Sequence, residues 1–320
     1  MNIFMIGQND PAGMMVTFAN AINRYTEHTA RILSYRTVYQ NAYEYDIELP
    51  RLIDEDYDEI EWLLKTSDVF HFHMLLDETF QIGPLHLKDY VEGKKIVYHH
   101  HGTYDHQCFL GRVDQYRERY RTANSSVLVS TPDLLEHLPM AEWQPNLVPL
   151  YDVHYLPRAD HLGEQEEIRI VQAPTRRWHK HTKEFLSVTS DLKSEYPNVS
   201  VSVLEGMSHI EVLKRKRRSH ISFDHMNGWF GICSLESLAH GIPTIAGLDQ
   251  HNREHIERFV DGATLPWIIA RNEKELFERM KELVIDPERR VSLGAQSRAF
   301  MEERWDETRV VARLIEYYER

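Results

Sequence analysis

Cysteine is nearly absent from this 320-residue chain: there are two, Cys108 and Cys233, far apart and in no metal-ligand spacing. That argues against a disulfide framework and fits a reducing compartment. Long apolar runs are missing as well, and none approaches the ~20 residues that a membrane-spanning helix requires. Residues 1–7 are apolar but lack the basic flank and small-residue cleavage site of a secretion signal. Basic charge is in short supply, with 37 Lys and Arg against 50 Asp and Glu and a net charge of -13. A general nucleic-acid binder needs a basic surface to displace counterions, so this balance weighs against such a partner. There is no tandem repeat and no low-complexity tract. The expectation is a cytoplasmic protein whose membrane contact, where it exists, is peripheral.

What is present suits folded domains. Hydrophobic residues make up 42% and charged residues 27%, enough to build cores. The length suggests about two domains. In the first half, strand-like runs at 2–6, 30–34, 68–74, 95–100, 126–130 and 146–150 alternate with helical spacing at 14–25, 83–91 and 112–123. An acidic stretch, 43–61, reads as a solvated excursion. Residues 157–167 are polar and acidic with Pro and Gly, and read as a linker. The alternation then restarts. Strands are expected at 168–172, 199–204, 220–223, 243–246 and 265–269, and helices at 182–195, 209–217, 232–240 and 252–259. Helical stretches at 272–284, 288–303 and 307–318 close the chain.

Strand-helix alternation implies parallel sheets covered by helices on both faces. The expected architecture is α/β, with two doubly wound, Rossmann-like domains, 1–155 and 168–303, followed by a last helical segment, 304–320. Such sheets bind ligands at the carboxyl ends of their strands, which places the expected site in a cleft between the domains.

Four stretches can carry chemistry. Residues 223–247, FDHMNGWFGICSLESLAHGIPTIAG, read as strand, Gly-rich turn, helix, stop and strand. The helix beginning near Ile232 offers free N–H groups and a positive dipole end to an anion. Glu236, a turn further on, can accept two hydrogen bonds from a ribose diol; the plain alternative is an exposed Glu on an ordinary helix. Residues 173–183, APTRRWHKHTK, follow a strand directly. Arg supplies a planar fork for phosphate and Lys a mobile point charge; a solvated loop is the alternative. Residues 98–105, YHHHGTYD, contain three consecutive histidines. Adjacent strand residues face opposite ways, so His99 and His101 share a side. His71 and His73 can join them from a neighbouring strand. A zinc site needs further ligands and closed geometry, and no metal is expected. The fourth stretch is 8–14, QNDPAGM, at the first strand-to-helix turn. The acidic triplet Asp54, Glu55 and Asp56 lacks a preceding strand and reads as solvated surface.

The 223–247 stretch resembles the donor-site signature of retaining GT-B glycosyltransferases of the sucrose-synthase and mannosyltransferase group, family 4, whose usual form is E-G-F-G-x-x-x-x-E-A-x-A-x-G-x-P-V. Gly231, Glu236, Ala239, Gly241 and Pro243 match it. The resemblance implies that Glu236 holds the nucleotide ribose, with Gly231, Ile232 and Cys233 beside the donor. The motif's first Glu is replaced by Gly228, and Asn227 or Asp224 is the candidate substitute. The loop at 173–183 is similar to the group's P-S-N-R-x-x-K-G-T, which implies that Arg177 and Lys180 bind the donor diphosphate; His181 replaces its Gly. His101 matches the group's H-G-T turn, which implies a place near the anomeric carbon. Gly13 matches its first-turn glycine, and Asp10 is a candidate acceptor contact.

The resemblance implies a GT-B enzyme that moves a hexose from a UDP- or GDP-sugar to an acceptor with retention, no cofactor and no metal, and a last helix, 304–320, that crosses back to the first domain. Arg177 and Lys180 would neutralise the leaving diphosphate, and the leaving phosphate would serve as base. Three other functions fit the same fold: a sugar-nucleotide epimerase, a non-catalytic partner subunit, and a DNA-base glucosyltransferase.

Overall fold

The computed structural model describes residues 1–10, 12–36, 43–102, 111–122, 125–158, 163 and 166–320. Cys108, residues 103–105 of the histidine-rich stretch, Pro11, Ala123 and part of the expected linker lie outside the described residues.

The chain runs β1 (Asn2–Gly7), α1 (Met14–Tyr25), β2 (Thr29–Ser34), β3 (Ile47–Glu48), α2 (Asp56–Thr66), β4 (Val69–His73), β5 (Gln81–Ile82), β6 (Leu85–His86), β7 (Lys95–His100), α3 (Val113–Thr122), β8 (Ser126–Val129) and β9 (Glu142–Trp143). It continues with β10 (Ile168–Gln172), α4 (Thr182–Glu195), β11 (Val199–Val203), α5 (His209–Lys216), β12 (Ile221–Phe223), α6 (Ile232–Ala239), β13 (Thr244–Ala246) and α7 (Gln250–Phe259). Last come β14 (Ile268–Ile269), α8 (Glu273–Ile285), α9 (Pro287–Arg304) and α10 (Glu307–Glu319). The fold is α/β and doubly wound.

Two compact units result: Met1–Leu147 with Glu307–Arg320, and Val148–Asp306. In the first, all strand pairs of the sheet β3-β2-β1-β4-β7-β8-β9 are parallel. The second has a parallel sheet in the order β11-β10-β12-β13-β14. In each, the first strand lies inside the sheet and the chain winds outward in both directions, which creates one switch point per sheet. Those points are β1/β4 and β10/β12.

Burial explains the elements. β1 reads NIFMIG with only Asn2 exposed, the continuous apolar pattern of a strand covered on both faces. The second core gathers Ile170, Phe185, Leu192, Ile221, Phe223, Ile245, Leu276 and Met280. Each such side chain, fully buried, contributes roughly 1.5–3 kcal/mol.

Local departures from the sequence reading have physical causes. The acidic excursion holds β3 and α2, because Ile60, Leu63 and Leu64 form a buried stripe at helical spacing. Asp54 and Glu55 stand exposed just before α2. No strand occupies 146–150. Residues from 148 onward pack instead on the second unit: His240 Nε2 donates to the His154 carbonyl at 2.7 Å, and Arg298 donates to the carbonyls of Leu150 and Tyr155. The unit therefore begins at Val148, ahead of the polar stretch. In the 83–91 stretch, a two-stranded hairpin of β5 and β6 precedes one 3-10 turn, Leu87–Asp89.

Candidate functional site

At the second unit's switch point, two loops meet a helix start. The loop after β10 closes with a 3-10 turn, Arg177–Lys180. His181 then takes the left-handed conformation, φ 51°, which a glycine adopts without cost and which His tolerates. Its ring Nδ1 receives the Met226 N–H at 3.3 Å. The glycine-type backbone is thus retained with a histidine in place.

This turn delivers Lys180 to Asp224, the residue after β12. Lys180 Nζ lies 2.7 Å from Asp224 Oδ1, with the Asp224 side chain 1% exposed and the Lys180 side chain 17%. Asp224 also receives the Gly231 N–H at 2.6 Å, the Ser234 hydroxyl at 2.8 Å and the Cys233 thiol at 2.8 Å. One carboxylate therefore closes the start of α6 and anchors the lysine beside it. Burial works to raise its pKa, but His225, Lys180 and these donors outweigh it and hold the carboxyl far below the usual range. Lys180 stays charged: burial opposes the charge, and Asp224 more than restores it. Burial, with Asp224 nearby, pushes the Cys233 thiol up to about 12, so it is a hydrogen-bond donor and not a nucleophile.

Gly231 is required here for space. A Cβ on it would stand 2.6 Å from Lys180 Nζ. Asn227 turns toward the same loop, donating from Nδ2 to the His179 carbonyl at 2.6 Å. Arg177 stands at the rim, 56% exposed, and pairs with Glu205 beyond β11.

Glu236 is buried, one turn into α6. Its Oε1 meets His209 Nε2 at 2.7 Å, and its Oε2 takes Lys216 Nζ at 2.6 Å. Lys216 is 1% exposed and also donates to the Cys233 carbonyl. Burial raises the Glu236 pKa, but Lys216 and His209 pull it well below the usual range. The Glu236 carboxylate is thus not an exposed surface group, and two of its acceptor directions are filled.

Gly228 has φ 97°, a region that excludes most side chains. A Cβ there would also lie 2.6 Å from Asp249 Oδ2. The Asp249 Oδ1 caps α7 at the Asn252 N–H. A carboxylate from the neighbouring strand end therefore stands beside the position where the motif's first Glu is missing. Neither substitute expected from the sequence takes this place: Asp224 caps α6 and Asn227 faces His179.

In the first unit, Asp10 is 4% exposed and accepts the Met15 and Val16 N–H groups, both at 3.2 Å. It closes the start of α1. Burial raises its pKa to about 6 against those bonds. Gly13, φ 68°, precedes α1. His101 bonds the Ser130 hydroxyl at 2.7 Å through Nδ1 and His73 Nδ1 at 2.8 Å through Nε2. Burial, with the neighbouring imidazoles, holds His71, His73 and His99 well below their ordinary pKa.

Sequence reasoning missed His209, Lys216 and Asp249. A signal existed for Lys216: it lies three residues after Leu213, on the buried face of α5. Asp249 carried none, because only strand pairing brings it to Gly228.

No protein-family model matches the chain, and no curated protein matches it in sequence. Solved structures do match. HepE of Anabaena in complex with UDP and glucose has a TM-score of 0.67 at 10% identity, covering 100% of this chain and 99% of its own. Sucrose-phosphate synthase from Thermosynechococcus elongatus gives 0.63 at 12% identity, covering 100% and 98%. A candidate UDP-N-acetylglucosamine 2-epimerase from Listeria monocytogenes gives 0.59 at 13% identity, covering 98% and 94%. At these identities the likeness establishes the fold: this chain is similar throughout its length to GT-B glycosyltransferases.

Proposed function

We propose that the chain is a glycosyltransferase that takes a hexose from a nucleoside-diphosphate sugar and passes it to a glycan, lipid or small-molecule acceptor. The observation that carries this reading is the Lys180–Asp224 pair set against the start of α6 at the switch point of the second sheet. It is a fixed, charged lysine beside a helix N-terminus, where a diphosphate is stabilised. The HepE complex with UDP and glucose supports a UDP-sugar donor, and GDP-sugars stay in play.

Each residue has a role in this reading. An ammonium has three donors and a guanidinium five, so Lys180 and Arg177 keep donors for phosphate beyond their own carboxylates. They neutralise charge that grows on the leaving diphosphate, with no metal required for that step. Ile232 and Cys233 contribute backbone N–H groups. Gly231 and Gly228 leave room. A carboxylate has about four acceptor directions, and Glu236 uses its remaining ones for the ribose, with His209 at its side. Asp249 takes the sugar contact that position 228 lacks. Within the first unit, Asp10 holds the turn that carries Gly13. Transfer proceeds with retention, using the leaving phosphate as base.

The epimerase reading has one observation of its own, the likeness to the Listeria protein. A thermal-shift screen against UDP-, GDP-, ADP- and TDP-sugars, followed by NMR of the products, tests both. Stabilisation by one nucleotide class, with a glycoside of unchanged anomeric configuration, is expected. Free epimerised sugar nucleotide would favour the epimerase, and no stabilisation by any donor would refute sugar-nucleotide binding.

A further inference from the structure

The first unit buries a group of imidazoles that the proposed transfer does not use. His71 and His73 alternate on β4, and His99 is paired across from His73 on β7. All three are 0–1% exposed. His71 lies parallel to His99, with centroids 5.3 Å apart and planes 1° apart, and is tilted by 35° against His73 at 4.2 Å. Within each ring the two nitrogens differ. One nitrogen is held by an oriented partner: His71 Nδ1 by the Tyr318 hydroxyl at 2.7 Å, His73 Nδ1 by His101 Nε2 at 2.8 Å, and His99 Nε2 by the Ser130 hydroxyl at 3.1 Å. The other is buried with no partner among the described residues: His71 Nε2, His73 Nε2 and His99 Nδ1.

A buried polar nitrogen without a partner is costly and needs an explanation. Three together, each on a ring whose far nitrogen is anchored, form the pattern of metal-ligating histidines and their outer partners. One ligand nitrogen from each ring lies within 4.8 Å of the others. Tetrahedral bonds of about 2.0–2.1 Å separate ligand nitrogens by about 3.3 Å, so the rings must turn and close up to hold one ion. An all-imidazole set suits zinc and its late first-row neighbours, not calcium or magnesium.

We propose that His71, His73 and His99 bind one divalent late first-row ion, zinc foremost, through their unpartnered nitrogens. Tyr318, His101 and Ser130 orient the ligands. The three ligands are buried, and a water completes the four-coordinate set; the ion is structural and ties β4 to β7 and, through Tyr318, to α10. It takes no part in the phosphate chemistry proposed for the second unit.

The test uses the full-length chain, without any histidine tag, produced in medium supplied with Zn²⁺ or with Co²⁺. The expected result is one ion per chain by elemental analysis and, for Co²⁺, the intense visible bands of a four-coordinate ion. His73→Gln with His99→Gln should lose both. Ser130→Ala removes only an outer partner, so it should fold normally and bind Co²⁺ about 10-fold or more weakly. His251→Gln with His255→Gln, a helical pair on α7, should leave content and bands unchanged. A chain that carries no ion overturns the proposal, and so does binding that survives the first pair of substitutions or vanishes with the last.

Discussion

At Gly231 the backbone is unstrained, with φ -97°, so any residue fits its conformation and only space demands glycine. A methyl there meets the end of a flexible side chain, 2.6 Å from Lys180 Nζ, and the lysine can swing away. Gly231→Ala should therefore fold with a small loss of stability yet displace Lys180 from Asp224, so donor affinity falls more than melting temperature. Equal affinity for UDP in variant and wild type would contradict this. The matched glycines and Glu236 could be read as a motif because they lie close together in one stretch. The Asp249 carboxylate beside Gly228 was not, because strand pairing creates the contact. The retained left-handed turn at His181 was also hidden, since a lone sequence shows the missing glycine and not the conformation kept without it.

Among the elements, α5 and α6 are fastened by the buried pair of Lys216 and Glu236. Breaking a buried pair leaves an uncompensated charge, and the cost is about 3–5 kcal/mol. Lys216→Met should therefore destabilise strongly, while Lys216→Met with Glu236→Gln should recover much of that loss. Chemical unfolding of the single and double variants checks the coupling, and additive losses would show that the pair is not energetically joined. The alternation of β4 and β7 made their histidines visible as same-face residues. Their mutual approach depended on register, His73 opposite His99, which spacing alone does not supply. Helix α2 was obscured by its acidic composition, because a stripe of three apolar residues is a weak signal beside five acids in 54–59.

For the whole molecule, doubly wound order was readable from the strand-helix alternation, whereas the start of the second unit at Val148 depended on side chains far along the sequence. Its pH response follows from buried histidines. Burial lowers His225 to about 3 and His240 to about 4. Both should gain a proton on unfolding at any pH between those values and the ordinary histidine value, about 6.5. Their contribution is complete above about 6.5 and is lost as pH falls, by up to about 1.4 kcal/mol per pH unit for each. Asp10 acts in the opposite sense, because its pKa is raised from 3.8 to about 6; it contributes a decline in stability as pH rises between those values. The histidines dominate, so melting temperature should drop steeply from pH 6.5 to pH 4. His240→Gln should flatten that drop, and a flat profile in the native chain would contradict the account.

Calorimetry of free UDP and GDP binding to the native chain, Lys180→Ala and Glu236→Ala tests the central claim most directly, with circular dichroism confirming that each variant is folded. The native chain should bind one of the two nucleotides. Loss of a charge-assisted bond worth about 1.5–3 kcal/mol should weaken Lys180→Ala by roughly 10- to 150-fold, and Glu236→Ala should weaken as well. Native-level affinity in both folded variants, or no binding of either nucleotide by the native chain, would contradict a sugar-nucleotide site at the second switch point.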